Sequence, residues 1–436
     1  MATAVPPFRP EIEPTAGVVE YKTHLPRAEK LDLLGLVLAG GRGKRLQPLT
    51  NGRAKAAVPF GGSYRLIDFV LSNFVNSGVH SLGVLTQFAN APLLRHLSQR
   101  WQLPGSGPGG ALVTALPGKV HQGELWYRGT ADAIYQNRRF IESASSNDVA
   151  AFGADHVYRM DVEQMLRWHK LTQAAATISA LPVRVNEAGR FGTIEVDPDW
   201  RIVGFHEKVP NPPQIPGNPG WALASMGNYI FSADALLESL KADAADPYSE
   251  NDFGHNVLPR MIKDRPVYAY DFRTNKPPGA CTGQTGYWRD VGTIPAYYEA
   301  NMESLPGASG VDLLNPQWPM GTGLQGIVNG AEFSARANRN SLLSKGCQVD
   351  RSSVAESVLG RNVNVGTGAD VRQSILMDGC DIGSDAKIRR AIVEEGMHLP
   401  NGFEIGLEGD DRLFYVGPSG VIAIGEARRQ VALAAA

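Results

Sequence analysis

Leu31-Asp-Leu-Leu-Gly35-Leu-Val-Leu-Ala-Gly40-Gly-Arg-Gly-Lys-Arg-Leu46 runs an apolar strand directly into a glycine-rich loop with three cationic side chains. A strand buried on both faces needs a near-continuous apolar run, and Leu33 to Ala39 supplies one. The loop that follows suits a polyanion. Glycines let backbone N–H groups approach closely, and Arg42, Lys44 and Arg45 add positive charge. The spacing Gly40-Gly41-x-Gly43-x-x-Leu46 lacks the Gly-Lys-Ser/Thr of a P-loop and is not a clean Gly-x-Gly-x-x-Gly dinucleotide fingerprint, which points away from kinases and dehydrogenases. Glycines after a strand also make ordinary turns, so the assignment depends on what else the chain brings to this edge.

Working outward, short β-type runs alternate with helical patterns from Leu33 to about Phe272. Residues 34–39, 81–87, 148–155, 176–183 and 192–196 read as strands by apolar density; 65–78 and 162–172 read as amphipathic helices, the first stopped by Gly78. Alternation of this kind predicts an α/β fold, a Rossmann-like and mainly parallel sheet covered on both faces, with ligands at the carboxyl ends of its strands. The domain is expected over 31–304, after a flexible amino-terminal segment 1–30 and before a Pro- and Gly-rich linker 305–339. With 436 residues the chain is too long for a single ordinary core. Its formal charge of −2 gives no electrostatic bias toward nucleic acid or a membrane surface. Three scattered cysteines, and no apolar run long enough for a signal peptide or a membrane span, lead to the expectation of a reducing, cytoplasmic setting.

The last quarter repeats itself with a period of 17: Val363-Asn-Val365-Gly366, Cys380-Asp-Ile382-Gly383 and Met397-His-Leu399-Pro400 superimpose, as do Ala369-Asp-Val371, Ala386-Lys-Ile388 and Phe403-Glu-Ile405. Apolar positions about six apart suit a triangular coil with three short strands per turn, each coil burying its inward residues on its neighbours. A parallel β-helix is therefore expected, with coils from about 340 to 406 inside a domain reaching 425; an antiparallel sandwich is the competing reading.

Two acids stand out. Asp155 closes the run Asp148-Val-Ala-Ala-Phe-Gly-Ala-Asp, and Asp290 lies in Tyr287-Trp-Arg-Asp-Val-Gly292. Carboxylates converging on a phosphate site are what Mg²⁺ asks for, because it keeps waters and takes few protein ligands. Alternatively each caps a turn or pairs with Arg159 or Arg289. Lys208, preceded by Glu207, could clamp a second anion such as a sugar phosphate, or be a solvated lysine. Tyr127 and Arg128 could contact a sugar, with Trp126 packed in the core. His156 is read as orienting its loop, His169 as structural, and Cys347 and Cys380 as packing in the β-helix.

Taken together, Leu38-Ala-Gly-Gly-Arg-Gly-Lys-Arg-Leu46-x-Pro-Leu-Thr50, Arg65-Leu-Ile-Asp-Phe69, Trp126-Tyr-Arg-Gly-Thr-Ala-Asp132, Gly153-Ala-Asp-His-Val-Tyr158 and Tyr287-Trp-Arg-Asp-Val-Gly-Thr293 resemble the nucleotidyltransferases that make nucleoside-diphosphate sugars, and within them the bacterial glucose-1-phosphate adenylyltransferases. The resemblance covers about residues 33 to 425. It implies a nucleotidyltransferase domain followed by a left-handed parallel β-helix, and the conversion of ATP and α-D-glucose 1-phosphate to ADP-glucose and pyrophosphate for glycogen. It further implies that Gly40, Gly41 and Arg42 hold the nucleotide phosphates with Arg45 and Lys55 adding charge nearby, and that Asp155 and Asp290 hold Mg²⁺. Tyr127, Gly192, Glu207, Lys208 and Ser225 match positions that bind glucose 1-phosphate. A homotetramer controlled by small-molecule allosteric effectors is the implied assembly. Two departures bear on this: Gly52 stands where enteric relatives use a lysine for a sugar-bisphosphate activator, and Glu207-Lys208-Val209-Pro210 replaces the usual Glu-Lys-Pro. The alternatives are a uridylyl- or thymidylyltransferase, a non-catalytic regulatory subunit, and an acyltransferase built on the β-helix.

Overall fold

The computed structural model describes residues 30–102, 112–118, 120–121, 124–125, 127–280, 285–321, 340–349, 351–406, 415–416 and 420–425. The amino-terminal segment up to residue 29, Trp126, Cys281, linker residues 322–339 and the tail after Arg428 lie outside the described residues.

The opening apolar run forms the strand Leu34–Ala39, its side chains buried almost throughout. It lies between two parallel neighbours, Leu82–Thr86 and Asp148–Gly153, and Val113–Pro117 extends the parallel edge. These four strands belong to a nine-stranded sheet whose other half is built differently. There Trp221–Ser232 runs antiparallel to Asp148–Gly153 and to Ala176–Arg184, and Gly192–Val196 is antiparallel to Ile202–Glu207. The sheet is thus mixed, its parallel strands carrying the glycine loop and its antiparallel hairpin reaching over the same cleft. Apolar density found both kinds of strand but carries no information on direction.

Helices cover both faces. Leu66–Asn76 is almost wholly buried, with Asp68 at its first turn accepting from the backbone N–H of Arg65 at 2.8 Å and Gly78 just past its end at φ 85°. On one face its Ile67, Val70 and Phe74 pack with Val37, Val84 and Phe152; on the other, Leu34, Leu36 and Ala151 pack with Ile134, Leu236 and Phe253. Each face buries tens of apolar side chains, which is where the stability of a two-layered cover comes from.

The carboxyl-terminal repeat folds as a three-sided prism of parallel sheets. Its ladders repeat the period read from sequence: Asn364 pairs with Asp381 and that with His398, and Ile375 pairs with Ile392. The first coil is one residue shorter, Leu342 pairing with Val358 and Gln348 with Asn364. Val365, Ile382, Ile388 and Leu399 point inward and are buried, and so is Cys380, whose Sγ lies 3.0 Å from the Glu394 carbonyl oxygen; Cys347 is half-buried against the Gly360 carbonyl. The described linker residues close the seam. Leu305, Val311, Leu313 and Met320 join a core shared by Phe60 and Phe69 of the first domain and Leu342, Ile375 and Ile392 of the prism. The Tyr298 hydroxyl donates to the Gln373 carbonyl at 2.7 Å across it. No described helix is long and apolar enough to cross a membrane.

Candidate active site

Strand ends at the centre of the sheet open into a cleft of about 540 Å³, within the size range of small-molecule sites. Gly40 and Gly41 form one wall at the carboxyl end of Leu34–Ala39. A Cβ on Gly40 would come to 3.1 Å from Gln87 Oε1, whereas one on Gly41 would meet nothing within 4 Å, so the loop backbone faces open space there. Gly43 has φ 61° and packs so tightly on Thr50 that a Cβ would sit 2.8 Å from its Cγ2, which turns the chain into the short helical segment Lys44–Leu46. Arg42 follows Gly41 in the chain but does not line the cleft; it is exposed, its guanidinium 3.8 Å from the centre of the Phe88 ring.

Asp155 sits two residues beyond the strand end at Gly153, in the turn before His156–Tyr158, rather than closing the strand itself. That short strand pairs antiparallel with Trp288–Asp290, setting His156 opposite Asp290. Asp155 and Asp290, from chain segments 135 residues apart, are thereby brought to one place, and one ligand atom from each of Asp155, His156 and Asp290 lies within 4.8 Å of the others. Two carboxylates suit Mg²⁺, an oxygen-seeking ion that binds through one or two of them plus phosphates. Neither acid takes the arginine partner offered by sequence: Arg289 pairs with Glu303 at 2.7 Å, and the buried guanidinium of Arg159 has no hydrogen-bond partner among the described residues.

The partner of both acids is Lys55. Its buried ammonium is 2.8 Å from Asp155 Oδ2 and 3.1 Å from Asp290 Oδ1. Burial by itself would raise the Asp155 carboxyl, but Lys55, then His156, outweigh it and hold the group well below the usual carboxylate range. For Lys55 burial pulls down and the two aspartates pull up, and the aspartates win. Arg45 joins the same corner: a Cβ on Gly292 would sit 3.3 Å from Arg45 Nη2 and 3.1 Å from Asp290 Oδ1.

Tyr127, Glu207 and Lys208 also line the cleft. The Tyr127 hydroxyl donates to the Leu116 carbonyl at 3.0 Å and accepts from Asn137 Nδ2 at 3.0 Å, which fixes the ring. Lys208, at φ 50°, closes an ion pair with Glu207. Gly192 and Ser225 do not line the cleft; they act one layer behind. A Cβ on Gly192 would come within 2.7 Å of Glu207 Oε2 and one on Gly254 within 2.5 Å, so the carboxylate is wedged between two glycines. Ser225 Oγ accepts from the Gly227 N–H at 3.2 Å beneath the cleft floor. Sequence reading missed Asp252, which lines the cleft, caps the helical turn Phe253–Val257 through the N–H groups of Gly254 and His255, and accepts from Thr130 Oγ1 at 2.9 Å. An Asp just before a Phe-Gly pair is a cap signal, but nothing local tells which cleft it faces.

The cleft thus joins a glycine loop with its backbone toward open space, a lysine-bridged pair of carboxylates and a polar wall, an arrangement that suits a nucleotidyl-transferring α/β domain. Residues 34–306 match the family model described as "Nucleotidyl transferase", and residues 327–424 match that described as "GlmU-like, C-terminal hexapeptide", which makes the prism a left-handed β-helix. Over 409 residues the chain is 48% identical to glucose-1-phosphate adenylyltransferase of Thermus thermophilus, covering 91% of this chain and 98% of the relative. It is 43% identical over 404 residues to glucose-1-phosphate adenylyltransferase 1 of Vibrio vulnificus strain YJ016, and 43% identical over 406 residues to glucose-1-phosphate adenylyltransferase of Aliivibrio fischeri strain MJ11, with the same 91% and 98% coverage. This chain belongs to the glucose-1-phosphate adenylyltransferase family.

Proposed function

We propose that this chain transfers the adenylyl group of ATP to α-D-glucose 1-phosphate, forming ADP-glucose and pyrophosphate for glycogen synthesis. The observation that carries the reading is the convergence of Lys55, Asp155 and Asp290 beside the glycine loop, in a member of that family. A phosphate oxygen of the sugar ester attacks the α-phosphorus; that P–O bond forms as the bond to the β-phosphate oxygen breaks, and pyrophosphate leaves. No covalent enzyme intermediate is required, so catalysis is positioning and neutralisation of charge. The loop N–H groups at Gly40 and Gly41 and the cations Arg42 and Arg45 hold the nucleotide phosphates. Lys55 is a fixed cation that can exchange its carboxylate partners for phosphate oxygens. Tyr127, Glu207 and Lys208 receive the sugar phosphate, with Gly192 and Ser225 shaping their wall. Mg²⁺ held by Asp155 and Asp290 would supply further charge neutralisation at the reacting phosphates.

Pyrophosphate release with ATP and glucose 1-phosphate, with and without Mg²⁺, tests this directly. Faster turnover with UTP or dTTP than with ATP would overturn the choice of base. We further infer a cytoplasmic homotetramer under small-molecule control, from the resemblance to the family and the tendency of short solenoids to pack on a partner; a monomer in sedimentation velocity would refute the assembly.

A further inference from the structure

We propose that Glu395, carried by the β-helix, is a positioning residue for Lys55: a built-in anion that grips the chain on both sides of the lysine's turn through Arg53 and Arg65. This rests on the reading of Lys55 given above.

The grip is specific. Arg53 Nη1 lies 2.6 Å from Glu395 Oε2 and Arg65 Nη2 lies 3.1 Å from Glu395 Oε1, so each carboxylate oxygen takes one arginine. Arg53 precedes Lys55 by two residues. Arg65 also donates from Nη1 to the carbonyl oxygen of Ala57 at 2.5 Å, and Ala57 is the last residue of the short helical turn Lys55–Ala57. The turn that aims Lys55 at Asp155 and Asp290 is therefore held before and after by two guanidiniums that share one counter-ion. That counter-ion comes from the other domain, 342 and 330 residues further along the chain.

Its backbone is anchored close to a paired strand. Glu395 follows the strand Ala391–Val393, which is paired on both sides, Ile392 to Ile375 and Ile392 to Ala423. The three side chains are only 15%, 21% and 27% exposed, well short of the solvation that makes surface pairs weak. Without the carboxylate, two like charges would face each other beside the turn, and they would separate or recruit an anion. Two guanidiniums converging on a point match any small oxyanion, so inorganic phosphate should substitute for the missing side chain.

The experiment compares the wild type, Glu395→Gln, Glu395→Ala and the exposed β-helix control Glu404→Gln. The expected result is a kcat ~10- to 100-fold lower in Glu395→Ala, as for other residues that orient a site group, with KM for ATP within about threefold. Glu395→Gln, isosteric and able to accept from one arginine, should fall between, and Glu404→Gln should match the wild type. Millimolar phosphate, which the nucleotide cleft of both proteins also takes, should raise the melting temperature of Glu395→Ala by more than that of the wild type and raise its kcat relative to the wild type at the same phosphate concentration. Wild-type kcat in Glu395→Ala, or a loss that tracks misfolding and ignores phosphate, would overturn the proposal. The phosphate-dependent melting shift is read without turnover: a wild type inactive on ATP and glucose 1-phosphate would sink the proposed reaction, whereas a shift no larger than that of the wild type sinks the clamp.

Discussion

Replacing Lys55 with methionine removes the ammonium while keeping most of the side-chain volume, and leaves Asp155 and Asp290 facing each other without a cation. A fully buried pair broken on one side costs about 3–5 kcal/mol; because the two acids are 36% and 29% exposed, water recovers part of this, and ~1–3 kcal/mol is expected. The pH dependence follows from the directions of the shifts. Asp155 is depressed in the folded wild type, so its contribution is present above the ordinary carboxylate value of 3.8 and is lost as pH falls below it. Lys55 is raised, so its contribution is fully present below 10.5 and lost as pH rises through its higher folded value. In Lys55→Met the burial that the lysine outweighed is opposed only by His156 and a backbone hydrogen bond, so the carboxyl rises, and protonation relieves its repulsion from Asp290. The stability deficit should be largest near pH 7–8 and shrink as the solution is acidified. Thermal melts of both proteins from pH 8 to pH 4.5 measure it. A deficit that grows with acid, or equal melting at neutral pH, would show that this lysine does not hold the two carboxylates together.

Further outcomes are expected elsewhere in the molecule. Asp155→Asn should lose ~10²- to 10³-fold in kcat, on the scale of a lost charge-stabilising group, with a smaller melting change than Lys55→Met because Lys55 keeps Asp290 at 3.1 Å; pyrophosphate-release kinetics and calorimetry check both halves. Gly192→Ala would place a methyl 2.6 Å from Phe205 Cζ and 2.7 Å from Glu207 Oε2, costing ~1–3 kcal/mol of stability and displacing the Glu207 carboxylate. Its signature should be a raised KM for glucose 1-phosphate against a nearly unchanged KM for ATP. In the β-helix, Ile388→Ala empties a fully buried inward position and should cost ~2–5 kcal/mol in denaturant unfolding.

Much of the architecture was legible because it is written in local periodicity. The apolar run at 34–39, the amphipathic stretch at 65–78 and the 17-residue repeat each state their conformation through residues that are neighbours in sequence, and the ladder Asn364, Asp381, His398 keeps that spacing in space. Glycine spacing and two isolated aspartates likewise marked residues that the fold gathers at one cleft. What spacing cannot express is direction and encounter. The antiparallel half of the sheet, Gly192 working through Glu207, and Asp252 reaching the cleft all depend on which segments pass one another.

Sequence alone determined the strand that leads into the glycine loop, four further strands, two helices and the 17-residue repeat, because backbone preference and apolar patterning act over a few residues. Only the tertiary structure decided that Lys55 stands between Asp155 and Asp290, and that Glu395 of the β-helix answers Arg53 and Arg65. Charges separated by 100 to 342 residues have no local signature. They pair because the packed sheet and solenoid bring them within a few ångströms in a partly dehydrated seam, where an unpaired charge would be costly.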